Sequence, residues 1–108
     1  MQSSQAEISQ QNPQQYFISG TVDFSTVPDL LRQSQVFFAA VKAVEKTQVN
    51  IDLSQVTDCN SAALALMLEM VKKAQQKNIE AQFDNPPATL LTIAKAYGVE
   101  NEIRELCR

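Results

Sequence analysis

From Gln48 to Gly98 the hydrophobic period switches three times between that of a strand and that of a helix, and few folds accommodate such switching. "QVNIDLSQV" puts Val49, Ile51 and Leu53 on one face, with Val56 following, as a half-buried strand does. A helical pattern then runs from near Ser61 to about Gln76. "IEAQF", Ile79 to Phe83, is a second short strand. "DNPPATLLTIAKAYG" opens with two prolines that stop this strand and preset the next helix. Leu90, Ile93, Ala94 and Tyr97 form the inner face of that helix, and Gly98 supplies a left-handed stop. Strands that alternate with helices imply crossover connections and parallel pairing.

Upstream, "YFISGTVDF", Tyr16 to Phe24, is aromatic and β-branched as a strand should be, and Gly20 inside it suggests a bulge or a close backbone approach. "STVPDLLRQSQVFFAAVKAVEK" reads as a helix capped by Ser25 or Thr26, with Pro28 and Asp29 in its first turn. Its apolar stripe is Leu30, Leu31, Phe37, Phe38, Val41 and Val44, interrupted by Ser34. Residues 1–15 are expected to be a partly flexible segment in which Ala6 to Ser9 could form an edge strand and "QQNPQQ" a turn; residues 16–108 form the domain. "VENEIRELCR" adds one or two helical turns, with Val99, Ile103 and Leu106 inward. The fold class expected is α/β: a small mixed sheet of about four strands, with helices mainly on one face.

At 108 residues the chain is large enough for one modest core. A net charge of −3, with no cluster of Lys and Arg beyond Lys72 and Lys73, argues against nucleic acid. Histidine is absent, so the common nucleophile–base pairs and most zinc sites cannot be built. The two cysteines, Cys59 and Cys107, form no metal or disulfide framework and fit a reducing cytoplasm. The only glycines are Gly20 and Gly98, so no Gly-rich phosphate loop exists. No apolar block approaches the ~20 residues that span a bilayer, and "MQSSQAEISQQ" lacks the features of a signal peptide. The expectation is a cytoplasmic, non-enzymatic protein with neither metal nor cofactor and no direct insertion into membrane. Asp52 and Asp58 are acids without a convergent second group.

The densest information lies in "TDCNSAALALMLEMVKK", Thr57 to Lys73. A loop from the strand end near Leu53 delivers Asp58-Cys59-Asn60-Ser61 to a helix start, where unpaired N–H groups and the helix dipole favour an oxygen ligand. Ser61 or Asn60 can cap the helix; the Ser61 hydroxyl also stands where a phosphate would be welcome. Every residue from Ala62 to Leu68 is apolar, more than one buried stripe requires. Either neighbouring loops bury this start, or it is a patch awaiting a partner. Asp58, Cys59, Asn60, Ser61, Ala62, Ala63, Leu64 and Met67 are the candidate partner-binding residues, and Ser61 the candidate regulatory one.

"VNIDLSQVTDCNSAALALML" resembles the signature of STAS domains, a strand ending in "DLS" before Asp-Ser/Thr-x-Gly-Leu at a helix start. The likeness runs on through "AQQKNIEAQFDNPPATLLTIAKAYGV" and covers roughly residues 16–106. Ser61 matches the Ser/Thr position, Ala62 the variable one and Leu64 the leucine; Asn60 replaces the acid and Ala63 the glycine. Length and "LTIAKAYGV" look closer to the MlaB-like branch, which implies a subunit that binds and tunes the ATPase of a phospholipid-transporting, Mla-type ABC complex, peripheral to the inner membrane through that partner. The alternative implied is an anti-sigma factor antagonist switched by phosphorylation of Ser61. Loss of the acid beside the hydroxyl weakens that switch more than it weakens docking. Self-association is left open.

Overall fold

The computed structural model describes residues 6–41 and 47–107. Four strands, β1 (Ala6–Asn12), β2 (Gln15–Val22), β3 (Thr47–Cys59) and β4 (Ile79–Asp84), form one sheet in that order. β1 and β2 are an antiparallel hairpin, whereas β2–β3 and β3–β4 are parallel. The parallel pairs are joined by α1 (Val27–Ala40) and α2 (Ala62–Gln76); α3 (Ala88–Ala96) and α4 (Glu100–Glu105) follow β4. This is the mixed α/β sheet expected from the alternating period.

Period two decides the layers. Tyr16, Ile18 and Val22 of β2, Val49, Ile51 and Leu53 of β3, and Ile79, Ala81 and Phe83 of β4 are buried. They meet Leu30, Ser34 and Phe38 of α1, Met70 and Ala74 of α2, Leu90 and Ala94 of α3, and Ile103 of α4. Burying each such large apolar side chain contributes about 1.5–3 kcal/mol. The other sheet face is polar: Gln48 Nε2 donates to Asn50 Oδ1 (3.1 Å) and to Gln82 Oε1 (2.9 Å). Ser34, the polar break in the α1 stripe, lies buried at its centre, its Oγ donating to the Leu31 carbonyl at 2.7 Å.

Several boundaries differ from expectation. The edge strand at Ala6–Ser9 runs on to Asn12. α1 stops at Ala40, and Val44 lies outside the described residues. Neither Ser25 nor Thr26 caps α1 through its side chain; instead Asp23 Oδ1 accepts from the Ser25 and Thr26 amides at 2.9 and 3.1 Å. β3 does not end near Leu53. It continues to Cys59 beside β2, absorbing register shifts between Phe17 and Ser19 and between Gly20 and Thr21. Gly20, at φ 92°, sits at the second shift, where a bulge needs a left-handed residue. Tyr97 is 64% exposed rather than inward, because α3 ends at Ala96 and Gly98 turns the chain at φ 75°.

Both rims of the sheet are held from outside. On β1, the Ile8 amide donates to Gln33 Oε1 at 2.9 Å, and Gln33 Nε2 donates to Asp29 Oδ2 at 2.7 Å. On β4, the Phe83 amide donates to the Leu106 carbonyl at 2.8 Å, and Phe83 bridges to Cys107.

Candidate functional site

β2 and β3 end side by side, Val22 opposite Cys59, and each turns at once into a helix. The Asn60 amide donates to the Val22 carbonyl at 3.2 Å, which ties the start of α2 to the start of the α1 approach. Two helix N-termini thus open at the carboxyl edge of one parallel pair, and each brings the positive end of its dipole there.

The capping role belongs to Asn60. Its Oδ1 accepts from the Ala62 amide at 2.9 Å, and its carbonyl accepts from Ala63 at 3.0 Å. Ser61 already has helical angles (φ −61°, ψ −18°), and its side chain makes no cap. Its hydroxyl, partly exposed, has no hydrogen-bond partner among the described residues. The hydroxyl that could have been explained as a cap is therefore free for another use.

Burial divides the remaining candidates. Ala62, Ala63, Leu64 and Met67 are only 2, 6, 6 and 3% exposed, so these four cannot face a partner and are corrected to core residues. They fill the sheet side of α2 and its two flanks, because α3 and the extended β3 close over the helix start. Asp58 and Asn60 are exposed, and Cys59 and Ser61 are partly buried. At 61, 65, 68 and 72, the spacing i, i+4, i+7, i+11 runs along the outward line of α2. Ala65 and Lys72 are exposed there, and Leu68 is 47% exposed. Phe24, two residues beyond the Val22 carbonyl that holds Asn60, is 70% exposed. Phe24, Ala65 and Leu68 were not singled out from sequence. Leu68 was legible, since it falls opposite Met70 and Ala74 on a helical projection; Phe24 reads as the last residue of a strand.

Neither Cys59 nor Asp52 offers chemistry. Burial, and then the Asp58 carboxylate, push the Cys59 thiol up, so it is poorly nucleophilic at neutral pH. It faces an apolar cavity with Val56, Met67 and Leu90. Asp52 Oδ1 accepts from the Ser54 amide at 2.7 Å and Oδ2 from Asn85 Nδ2 at 3.0 Å. Partial burial opposes ionisation of Asp52, but the Ser54 and Asn85 bonds outweigh it and hold the carboxyl below its usual range. Six residues of strand, about 15–20 Å, separate Asp52 from Asp58, too far to act as a pair. No grouping of three or more His, Cys, Asp or Glu suited to a metal occurs among the described residues. No helix among them is long and apolar enough to cross a membrane.

The lowered pKa makes Asp52 a stabilising group above about pH 4, an advantage lost as pH falls through its folded value. Asp52→Asn is therefore expected to lower stability slightly at pH 7, and the gap to wild type should shrink at pH 3. Urea titrations at both values check this; a gap that widens in acid contradicts it.

Compared with known proteins, residues 9–106 match the family described as Mlab, STAS domain. The chain is 30% identical over 87 residues to the intermembrane phospholipid transport system binding protein MlaB of Haemophilus influenzae, covering 81% of this chain and 82% of that one. Among solved structures it resembles the unphosphorylated anti-sigma factor antagonist SpoIIAA, with TM-score 0.68 and 13% identity over 95% of this chain and 85% of that one. An anti-sigma-factor antagonist domain protein from Planctomyces limnophilus gives 0.66 at 13% identity, over 90% and 86% of the two chains. Those two likenesses are of fold. Together with the βαβ core and the helix start at Asn60–Ser61, the family match over nearly the whole length has one consequence: this chain belongs to the STAS domain family, in the group described as Mlab.

Proposed function

We propose that this chain is a non-enzymatic cytoplasmic subunit that binds and tunes the ATPase of a phospholipid-transporting ABC complex, reaching the inner membrane only through that partner. The similarity to MlaB, a binding protein of an intermembrane phospholipid transport system, supports the process. The observation that carries the mode of action is the Ser61 hydroxyl, partly exposed and relieved of capping by Asn60, at the head of the outward stripe of α2. A hydroxyl on a rigid helix start, with Ala65 beside it, admits close backbone approach by another protein. Asp58, Asn60, Ser61, Ala65 and Leu68 make up the docking surface.

Ser61→Lys introduces bulk and charge on this surface without entering the core. Co-purification with the co-expressed ATPase is expected to fall below detection, with circular dichroism and melting temperature unchanged. Unaltered co-purification overturns the reading.

The same free hydroxyl favours a second reading, an antagonist of an anti-sigma factor controlled by phosphorylation, which the SpoIIAA-like fold accommodates. It is the weaker one, since the position of the family's acid is held by Asn60, whose oxygen is already bonded to Ala62. Intact mass after incubation with ATP and the cognate kinase separates the two: a phosphate on Ser61 selects the second.

A further inference from the structure

The outward stripe has a definite charge setting, which specifies more than the docking reading on which it rests. Phe24 and Leu68 are the large exposed apolar side chains at this end of the molecule. Between them and the strand ends lie two carboxylates. Asp23, in the segment joining β2 to α1, binds Ser25 and Thr26 through Oδ1 alone; Asp58, at the end of β3, binds the Cys59 amide at 2.9 Å, also through Oδ1. Each therefore keeps Oδ2 without a partner among the described residues.

No Lys or Arg occurs in residues 20–26 or 52–66. The nearest cations along α2 are Lys72 and Lys73, about 16–18 Å down the axis from Ser61 and about 6–8 Å beyond Leu68, so positive charge lies only at the far end of the stripe. Arg32 is tied to Asp29, and Arg104 to Glu100. Two full negative charges exceed the partial positive charges of the two helix starts, about half an elementary charge each. The Ser61 end of the apolar stripe is thus bordered by negative potential, which repels an anionic bilayer and attracts a cationic protein surface.

We propose that the surface formed by Phe24, Ser61, Ala65 and Leu68, rimmed by Asp23 and Asp58, takes a protein ridge in which an apolar side chain is flanked by Lys or Arg. The apolar residue lies along Ala65 and Leu68; the cations reach the free carboxylate oxygens. Apolar contact supplies most of the affinity, and the charges set approach rate and orientation.

The test uses the full chain, labelled with nitrogen-15, and an amphipathic model helix of leucine and lysine. Amide shifts are expected at Phe24, Asp58, Ser61, Ala65 and Leu68. Affinity should fall about tenfold when salt rises from about 0.05 to 0.5 M, as screening shortens the Debye length. Asp58→Lys, at an exposed strand end, is expected to weaken binding about tenfold, and Asp58→Asn by less. A matching helix of leucine and glutamate should not bind. The proposal is overturned if the glutamate helix binds equally, if the shifts fall elsewhere, or if Asp58→Lys binds unchanged. Sedimentation with phosphatidylglycerol vesicles at low salt also overturns it, since that assigns the face to lipid. The ATPase co-purification is a separate arm: its failure, with the lysine-helix result intact, removes the proposed transporter role and leaves the charge assignment standing.

Discussion

Phe83→Ala is expected to cost about 3–5 kcal/mol, the range for truncating a fully buried aromatic side chain. Phe83 is completely buried in β4, and its backbone fastens the C-terminal segment through Leu106 and Cys107. A loss of that size is a large part of the ~5–15 kcal/mol that holds an ordinary domain together. Equilibrium urea unfolding measures it, and hydrogen exchange at the Phe83 amide should rise in parallel. Val36, 65% exposed on α1, serves as the control: Val36→Ala should stay within about 0.5 kcal/mol of wild type. A Phe83→Ala loss below about 2 kcal/mol contradicts the placement of β4 in the core.

The second large effect separates two adjacent residues of α2. Met67 is buried and Leu68 half-exposed, so one lysine at each has opposite consequences. Met67→Lys forces a charge into the core, where it must lose its proton or unfold the domain; an insoluble or molten product is expected. Leu68→Lys should leave the melting temperature within a few degrees and still abolish co-purification with the ATPase, because its cost falls on the partner's apolar contact. Should Met67→Lys melt normally while Leu68→Lys aggregates, α2 is rotated from the orientation described and the docking surface lies elsewhere.

That contrast also shows how far the sequence was readable. The order of strands and helices came from period and punctuation, which are local: Val49, Ile51 and Leu53 against Ile79, Ala81 and Phe83 declare their faces without help. What surrounds an element is not local. The apolar run from Ala62 to Leu68 was equally consistent with burial and with an open patch. Only the extension of β3 to Cys59 and the approach of α3, with Leu90 beside Met67, put most of it inside. Cap assignment was ambiguous for a similar reason, since Asn and Ser share the same chemistry; the Val22–Asn60 bond fixes which residue occupies the last non-helical position. Tyr97 was misjudged because helical spacing carries on past a helix that stops at Ala96. The exposed Phe24 and Leu68 are ordinary apolar letters, visible as surface only once their neighbours are in place.

Gln33 and the Leu106 carbonyl bear on how the chain associates. By occupying one outward backbone position on each border strand, they spoil the sheet as a template for the strand of a second molecule. Edge-to-edge addition of a second copy is thereby discouraged. Whatever joins it is left to read side chains, on the helical layer or on the polar sheet face, where recognition can be selective.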